Sequence, residues 1–248
     1  MSGPGRPEEP GARRPRVLIV DDLIAIGGGI YFLVSNLDGL VADAIETHGS
    51  DEYKARYLHK MVAGEWTGTM NLTEPQAGSD AGGIRTTAIK DGDHYVLNGT
   101  KQWITNGGEA EIYTVVALTN PSKGPRGASV LVVEKDTPGF TFGKKEEKMG
   151  LRASSTCELI LEDCQVPKEN VLGEPGKGYK IAIETLNEGR IGIGAQMVGL
   201  AQGAFDLALK YSQERHQFGR PIAEFQAVQF ELAELATQIE AARQLDET

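Results

Sequence analysis

The stretch RTTAIKDGDHYVLNGTKQWITNG, Arg85–Gly107, decides the fold class of this chain. Apolar and polar residues alternate along it, and a period of two predicts β-strands rather than a helix. Asp91-Gly92 and Asn98-Gly99 are turn dipeptides because both positions tolerate positive φ. We therefore expect strand, turn, strand, turn and strand across these residues.

Similar alternation continues on both sides of this stretch, from Thr67 to about Val171. The further predicted strands are EIYTVVALT, ASVLVVEK, GFTFGK and TCELILEDCQV. Many short strands separated by turns every eight to twelve residues or so are typical of a barrel or a sandwich. The central part of the chain is thus predicted to be a β-domain.

Helical periodicity flanks this β-domain. Before it, GSDEYKARYLHKMVAG (residues 49–64) offers Ser50 as an N-cap and Gly64 as a stop, with Leu58 and Val62 on one face. After it, apolar residues recur at steps of three or four in two segments: Met197, Leu200, Ala204, Leu207 and Tyr211, then Phe225, Val228, Leu232, Leu235, Ile239 and Ala242. Pro221 fits the first turn of the second of these helices. The order of helices, strands and helices predicts the α+β class.

Composition and charge argue against several classes of protein. The 248 residues are 40% hydrophobic and 24% charged, which is the balance of a folded soluble chain. A net charge of −10 argues against a general nucleic-acid surface, and the apolar run Leu23–Val34 is too short to span a bilayer. Cys157 and Cys164 form no CxxC pair and have no neighbouring histidine, so we expect reduced thiols and no metal site. Neither nucleic acid nor a membrane is therefore an expected partner.

Standard nucleotide and hydrolase motifs are absent from the sequence. It contains no GxGxxG after a strand, no GxxxxGK[ST] and no GxSxG. These absences argue against a Rossmann site, a P-loop and an α/β-hydrolase nucleophile.

Two segments of the β-domain could instead bind a flat cofactor. MNLTEPQAGSDAGG, Met70–Gly83, has little side-chain bulk and many free backbone N–H groups. It could approach a planar ligand, or it could be an ordinary surface turn. In TKQWITNGG, Thr100–Gly108, Trp103 and Thr105 are two apart in a strand and so share a face. There the indole could cover a redox ring, or it could cover the edge of the core.

A third segment, ERHQFGRPIAEFQ, lies between the predicted helices at Glu214–Gln226. It combines Arg215, Phe218 and Gln226 around a Gly-Arg-Pro turn. Arg215 could hold a pyrophosphate in a bidentate fork, or it could be a solvated cation at a helix end.

These segments together resemble the signatures of the acyl-CoA dehydrogenase family. The matching stretches are LTEPQAGSD (Leu72–Asp80), KQWITNG (Lys101–Gly107), ERHQFGRPIAEFQ and LNEGRIGIGAQMVGLAQGAFD (Leu186–Asp206), and the likeness is greatest to short/branched-chain members. The resemblance implies an α+β fold with partial N-terminal helices, a central β-barrel domain and a partial C-terminal helical bundle. The implied domains are a disordered tail at 1–16, a remnant of the N-terminal helical domain at 17–66, the β-barrel FAD and substrate domain at 67–171, and the first helices of the C-terminal domain at 172–248.

The resemblance also implies which residues bind ligands. The FAD-binding loop would be Met70, Asn71, Leu72, Thr73, Glu74, Pro75, Gln76, Ala77, Gly78 and Ser79. Trp103, Ile104 and Thr105 would cover one flavin face, with the Thr105 hydroxyl near the reactive nitrogen. Arg215, Phe218 and Gln226 complete the FAD set, and Arg215 and Gln226 would reach the FAD of a neighbouring subunit in a homodimer or homotetramer. The acyl-CoA substrate would be bordered by Ser79, Tyr179, Asn187, Glu188, Gly189 and Arg190.

The implied activity is FAD-dependent α,β-dehydrogenation of an acyl-CoA thioester, with a short or branched acyl chain favoured. Electron-transfer flavoprotein is the implied electron acceptor. A carboxylate base removes the α-proton while the β-hydrogen leaves as hydride. One branch of the family places this base immediately before the arginine that matches Arg190, but Gly189 stands there, and most members carry the base in a later segment not found here. The chain thus resembles a member truncated at both ends, and we expect weak or no turnover from it.

Other functions are compatible with the sequence. The chain could be a non-catalytic flavin-binding or assembly fragment of the same fold, or a flavin-dependent monooxygenase. VLIVDDLIAIGGG, Val17–Gly29, resembles the diphosphosugar-binding motif of purine phosphoribosyltransferases, but Ile26 and Gly29 stand where that motif carries threonines. Met1–Pro15 lacks the apolar core of a signal peptide, so a bacterial cytoplasmic location is favoured, with the mitochondrial matrix as the alternative.

Overall fold

The computed structural model of the chain describes residues 39–246. The tail expected at 1–16, the stretch Val17–Gly29 and the apolar run Leu23–Val34 lie outside the described residues. Contacts divide the described part into two compact units, one ending at Ile193 and the other beginning at Gly194.

Two helices precede the sheet. Helix α1 covers residues 39–48, and α2 consists of α-helical Asp51–Tyr53, π-helical Lys54–Leu58 and α-helical His59–Val62. As predicted, Ser50 caps α2, because its hydroxyl accepts a hydrogen bond of 3.3 Å from the backbone N–H of Tyr53. The chain leaves the helix at Gly64, whose φ is +71°.

The buried face of α2 differs from the prediction. Tyr53, Tyr57 and Met61 are buried, whereas Val62 is 85% exposed and Leu58 is half-buried at the edge of the core. The π-helical segment widens the turn and so rotates the residues that follow it. The face predicted from Leu58 and Val62 is therefore not the face that α2 buries.

Eight strands form the main sheet. Their bounds are β1 Gly68–Asn71, β2 Thr87–Asp91, β3 His94–Thr105, β4 Ile112–Leu118, β5 Ala128–Glu134, β6 Phe140–Phe142, β7 Thr156–Pro167 and β8 Val171–Leu172. Three 3₁₀ turns lie between them, at Ala81–Gly83, Pro121–Gly127 and Lys168–Asn170.

The strand order is β6-β7-β3-β2-β4-β5-β8, with β1 paired in parallel to β4. Within the described residues these pairings trace an open path rather than a closed ring. The central domain is therefore one eight-stranded sheet, and the closed barrel that was expected is not formed by these hydrogen bonds. The α+β class and the order of helices, strands and helices are confirmed.

Strand β4 is buried along its whole length because the sheet is covered on both faces. Its side chains alternate between two apolar clusters. Ile112, Val116 and Leu118 pack with α1, α2 and the start of the helix that follows the sheet. Tyr113 and Val115 pack with side chains from other strands of the sheet, including Phe140 of β6.

The turn expected at Asn98-Gly99 is not formed. β3 continues through it without reversal, and its pairing with β7 shows only an irregularity there. Gly99 has a φ of +148°, and a Cβ at this position would lie 2.5 Å from Thr86 Oγ1. Glycine is thus needed for close packing rather than for a turn. The turn expected at Asp91-Gly92 is present, since β2 and β3 pair as a hairpin across it.

Two long helices end the described chain, α3 Gly178–Glu214 and α4 Gln226–Asp246. Between them lie the antiparallel pair β9 His216–Gln217 and β10 Arg220–Pro221. A 3₁₀ turn, Ile222–Glu224, follows. The sequence indicated that Pro221 starts α4. In the structure it precedes this 3₁₀ turn instead.

Apart from Phe225, which precedes α4, the residues of the two predicted apolar stripes lie on these helices. In the second stripe Ile239 is buried, but Leu200, Leu207 and Tyr211 of the first stripe are each more than half exposed. Within the described residues, neither α3 nor any other helix combines the length and the apolarity that a membrane crossing requires.

Candidate functional site

Buried hydrogen bonds hold the start of the loop that follows β1. Asn71 Nδ2 donates hydrogen bonds to the carbonyls of Thr69 and Thr114, at 3.1 and 3.3 Å. Further on, Glu74 and Ala77 exchange backbone hydrogen bonds of 3.1 and 3.0 Å, which close a tight turn. The loop therefore leaves the sheet along a fixed path.

A buried ion pair ties this loop to β3. Lys101 Nζ lies 2.7 Å from Glu74 Oε1 and donates to the Leu72 carbonyl at 3.1 Å. Burial lowers the pKa of Lys101 to about 8, although the Glu74 carboxylate opposes this shift. Burial by itself raises the pKa of Glu74, but the Lys101 charge and hydrogen bonds from Thr86 and Arg85 outweigh it and hold that pKa below its usual range. The two side chains thus form a buried, directly hydrogen-bonded pair.

The outer half of the loop is accessible and rich in hydrogen-bond donors. Pro75, Gln76, Gly78 and Ser79 are exposed, and Thr73 is half-buried. Within the described part of the chain, no acceptor takes the backbone N–H groups of Gly78 and Ser79 or the Thr73 hydroxyl. A side chain added at Gly78 would meet nothing within 4 Å, so this surface is also open to a ligand.

The inner half of the loop is placed differently. The side chains of Asn71, Glu74 and Ala77 are buried, and those of Asn71 and Glu74 are engaged by the protein itself. Of the predicted FAD-binding loop residues, these three could therefore reach a ligand only through their backbone. Met70 and Leu72 pack at the helix-covered core.

Trp103 leaves β3 at a bulge. The pairing with β7 shifts register between Lys101 and Ile104, and Trp103 has a φ of +61°, which is a costly conformation for a bulky residue. Its side chain is 57% exposed, while that of Ile104 is buried. Thr105 has returned to the ladder, half-buried, and its hydroxyl has no partner among the described residues. The regular strand expected here is thus interrupted, and the bulge turns the indole outward.

Two hydrogen bonds bring the loop and the end of β3 together. Gln102 N donates to the Thr73 carbonyl at 2.9 Å, and Thr69 Oγ1 donates to the Thr105 carbonyl at 2.7 Å. The predicted segments Met70–Ser79 and Trp103–Thr105 are therefore neighbours.

The residues after Thr105 form a tightly packed corner behind this pair of segments. Asn106 is buried at a φ of +62°, and its backbone N–H donates to the Ser155 carbonyl at 3.0 Å. Ser155 Oγ returns a hydrogen bond of 2.7 Å to the Gly107 carbonyl. The end of β3 is thus held from both sides.

The donor set fits the acceptor-rich edge of a flavin. Such a ring presents carbonyl oxygens and unprotonated nitrogens, which require N–H and O–H donors. The hydroxyls of Thr73 and Thr105 and the N–H groups of Gly78 and Ser79 supply donors, and the Glu74 carboxylate is turned inward, away from them. The exposed indole of Trp103 adds a flat apolar surface. On this chemistry the residues present fit FAD.

The residues predicted to border acyl-CoA lie on α3. Tyr179 packs against the helix-covered core, whereas Asn187, Glu188 and Arg190 are exposed. Arg190 Nη1 donates to Asn187 Oδ1 at 2.8 Å, so the two side chains are joined. A Cβ at Gly189 would lie 3.2 Å from a leucine side chain of α1, so any larger side chain there would be crowded.

The third predicted segment lies in the unit that begins at Gly194. Arg215 is exposed, and its carbonyl accepts a hydrogen bond of 2.8 Å from Ile222 N. Phe218, at a φ of +54°, is 93% exposed and meets the Phe225 ring edge-on at 6.1 Å. Gln226 starts α4 and is also exposed. All three predicted residues are thus on the surface of their own unit.

Lys101 was not predicted as a site residue, although the sequence carried a signal for it. Lys101 is an even number of residues away from the buried Tyr95 and Leu97 along β3, so the alternation of the strand predicts that all three face the same side of the sheet. A lysine at a core-facing position is almost never fully buried unless it is paired, so its position predicts a buried acidic partner.

Three family models match the chain. They are described as "Acyl-CoA dehydrogenase, N-terminal domain" at residues 5–65, "Acyl-CoA dehydrogenase, middle domain" at 69–164 and "Acyl-CoA dehydrogenase, C-terminal domain" at 176–248. The loop and the end of β3 lie within the middle-domain match.

Individual proteins match over most of the chain. A protein named acryloyl-CoA reductase (NADH), from Anaerotignum propionicum, is 52% identical over 84% of this chain and 53% of its own length. A probable short/branched chain specific acyl-CoA dehydrogenase of Dictyostelium discoideum is 49% identical over 92% of this chain and 55% of its own length. The solved structure of butyryl-CoA dehydrogenase from Megasphaera elsdenii is 48% identical with a TM-score of 0.84, covering 88% of this chain and 57% of that one. The chain spans about half the length of the curated relatives it matches.

Proposed function

The chain belongs to the acyl-CoA dehydrogenase family, and from this membership we propose that it binds FAD at Met70–Ser79 and Trp103–Thr105 to dehydrogenate an acyl-CoA thioester. One observation carries the proposal. The loop that carries the donors and the strand segment that carries the outward indole of Trp103 are joined by the 2.9 Å hydrogen bond from Gln102 N to the Thr73 carbonyl. A flat ring with polar edges requires both surfaces at once.

In the proposed reaction a carboxylate takes the α-proton and the β-hydrogen leaves as hydride, which creates the Cα=Cβ double bond. Bound FAD supplies the acceptor for that hydride. The part of this chain is to hold the ring with donors from Thr73, Gly78 and Ser79. In this proposal the Thr105 hydroxyl donates to the ring where negative charge develops.

The proposed reaction requires a carboxylate base, and the position before Arg190 does not supply one. Gly189 occupies the position before Arg190, and it has no side chain to act as a base. Glu188 is its neighbour on α3, but one residue along a helix turns the direction of a side chain by about 100°. Because loss of a general base costs about two to four orders of magnitude in rate, we expect weak turnover from a polypeptide of these 248 residues alone.

The substrate and partners follow from the same proposal. We propose a short or branched acyl group, as in the names of the Dictyostelium and Megasphaera proteins. Electron-transfer flavoprotein is the proposed acceptor, and the proposed assembly is a homodimer or homotetramer in which Arg215 and Gln226 reach the FAD of a neighbouring subunit. The bacterial cytoplasm is the proposed compartment, with the mitochondrial matrix as the alternative.

A second candidate function is the reverse reaction, saturation of a 2,3-unsaturated acyl-CoA. The observation that favours it is the name of the 52% identical relative, an acryloyl-CoA reductase that uses NADH. The same ring position and the same donors would serve either direction. The electron donor separates the two functions, because transfer between acyl-CoA and flavin is reversible in either case. In the absence of oxygen, NADH should bleach the bound oxidised flavin, and enoyl-CoA should then restore its colour, only if the chain works as a reductase.

The test of flavin binding comes first. The purified chain is incubated with excess FAD, freed of unbound flavin by gel filtration, and its visible absorption spectrum recorded. We expect a retained band approaching one flavin per chain, reduced in a Thr73→Val/Thr105→Val variant but not in Thr141→Val, which changes an exposed threonine of β6.

The other outcomes are equally informative. A colourless protein peak would overturn the proposal and leave a non-catalytic assembly role. Oxygen consumption driven by NADH and a flavin reductase would favour the monooxygenase alternative.

A further inference from the structure

Four donors converge on the Glu74 carboxylate. They are Gln76 Nε2 at 2.7 Å, Arg85 N at 2.6 Å, Thr86 N at 3.1 Å and Lys101 Nζ at 2.7 Å. The residue is only 3% exposed, so a misplaced donor would be costly in this dry environment. One carboxylate thereby binds both the turn of the loop, through Gln76, and the residues that lead into β2, Arg85 and Thr86.

Lys101 completes the link from the strand side. It is fully buried, and besides Glu74 it donates to the Leu72 carbonyl at 3.1 Å. Two residues further along β3, Trp103 turns outward at the bulge. The ammonium group thus lies between the loop and the strand segment that carries the indole.

A buried ion pair is a poor explanation for stability alone. Removing two charges from water offsets much of their attraction, and apolar side chains of similar volume are often equally stabilising. What charged hydrogen bonds supply in addition is short distance and fixed direction. Apolar contacts would hold the same two segments together with less precise spacing.

We propose that Glu74 and Lys101 are positioning residues for the flavin, which set the spacing between the loop Leu72–Ser79 and the Trp103–Thr105 surface. This inference rests on the proposed function, because it concerns the same site. The two side chains act through the Leu72 carbonyl and the turn after it, and so place the donors of Gly78 and Ser79 at the distance from the indole that the ring needs.

The main variant replaces both members of the pair, so that neither charge is left buried alone. In the full chain, Glu74→Leu/Lys101→Met exchanges the ion pair for apolar side chains, and Glu74→Gln keeps the shape while removing one charge. The matched control is Lys168→Met, which breaks an exposed ion pair with Asp93 in the β2–β3 turn, away from the loop. Each variant is compared with wild type in its melting temperature, FAD dissociation constant and visible circular dichroism of the bound flavin.

We expect the double variant to fold but to melt several degrees below wild type, because Arg85 N and Thr86 N lose their acceptor. We also expect it to bind FAD at least tenfold more weakly and to show an altered flavin dichroism. A merely structural role would leave the dichroism of the remaining bound flavin unchanged. A folded double variant with wild-type affinity and dichroism overturns the inference.

Two further outcomes are distinguishable. If the double variant does not fold, Glu74→Gln decides in the same way: weaker and spectrally altered binding supports the inference, and unchanged binding overturns it. If wild type itself retains no flavin, the proposed function fails and this inference fails with it.

Discussion

A Cβ at Gly107 would lie 2.5 Å from the sulfur of Cys157 and 2.9 Å from the Ile104 carbonyl, so the corner after β3 packs backbone directly against β7. Gly107→Ala should therefore lower the free energy of unfolding by about 1–3 kcal/mol, the usual cost of overpacking. Urea denaturation followed by circular dichroism measures the change.

The control for that prediction is Gly78→Ala in the loop. A Cβ there meets nothing within 4 Å, so its free energy of unfolding should stay within about 0.5 kcal/mol of wild type. If the free energy of unfolding falls as little in Gly107→Ala as in Gly78→Ala, the corner at Gly107 is less tightly packed than the contact with Cys157 indicates.

Trp103 should show a trade-off between stability and binding. Its φ of +61° is unfavourable for tryptophan but tolerated by asparagine, so Trp103→Asn should unfold no more easily than wild type and could gain about 1 kcal/mol. The same variant should bind FAD more weakly because the indole surface is gone. Trp103→Phe keeps an aromatic surface and the strain, and should lose less affinity. Thermal melts and flavin titration give the two readouts, and a variant that loses stability but keeps affinity would contradict both parts.

Two neighbouring tyrosines of α2 should respond oppositely to loss of the hydroxyl. The Tyr57 hydroxyl donates to Glu134 Oε1 at 2.8 Å, so Tyr57→Phe should cost about 1 kcal/mol. The buried Tyr53 hydroxyl has no hydrogen-bond partner within the described residues, so Tyr53→Phe should be neutral or stabilising by about 1 kcal/mol. Chemical denaturation of both variants under one condition measures the difference. A loss in Tyr53→Phe as large as that in Tyr57→Phe would reveal a partner for the Tyr53 hydroxyl.

Cys164 should make stability fall in alkaline solution. Burial raises the pKa of its thiol from an ordinary value of 9.0 to about 11. The unfolded chain therefore releases this proton first, and between about pH 9 and 11 the folded state binds more protons and loses stability as the pH rises. The free energy of unfolding of wild type should drop in that window relative to Cys164→Ala, by about 2 kcal/mol in total. Parallel pH curves for the two proteins would contradict the prediction, as would rapid alkylation of native Cys164 at pH 8.

Local sequence chemistry predicted much of the fold. The N-cap at Ser50, the hairpin at Asp91-Gly92 and the strands around it follow from side-chain type and alternation, and the structure contains them. What escaped prediction depends on partners distant in sequence. Asn98-Gly99 has the composition of a turn, but the approach of Thr86 and the pairing with β7 keep β3 extended.

The candidate site shows the same division. The two segments that meet at the Gln102–Thr73 hydrogen bond could be recognised from their residues and from the family resemblance. The inward direction of the Glu74 carboxylate could not, because it depends on a lysine of another strand. Likewise, the exposed side of Val62 results from a π-helical segment that leaves no clear mark in the apolar pattern.

The pairing of β3 with β7 also determines when, during translation, the loop Met70–Ser79 can reach its final structure. Lys101 lies opposite Leu159 and Thr105 opposite Thr156, so the strand that supports the loop acquires this partner only after a long further stretch has left the ribosome. Pairings between residues so far apart in sequence form slowly, since their loop-closure entropy must be overcome first. The loop Met70–Ser79 therefore emerges early but gains its final shape late, and cofactor loading becomes a step that follows translation of the whole sheet.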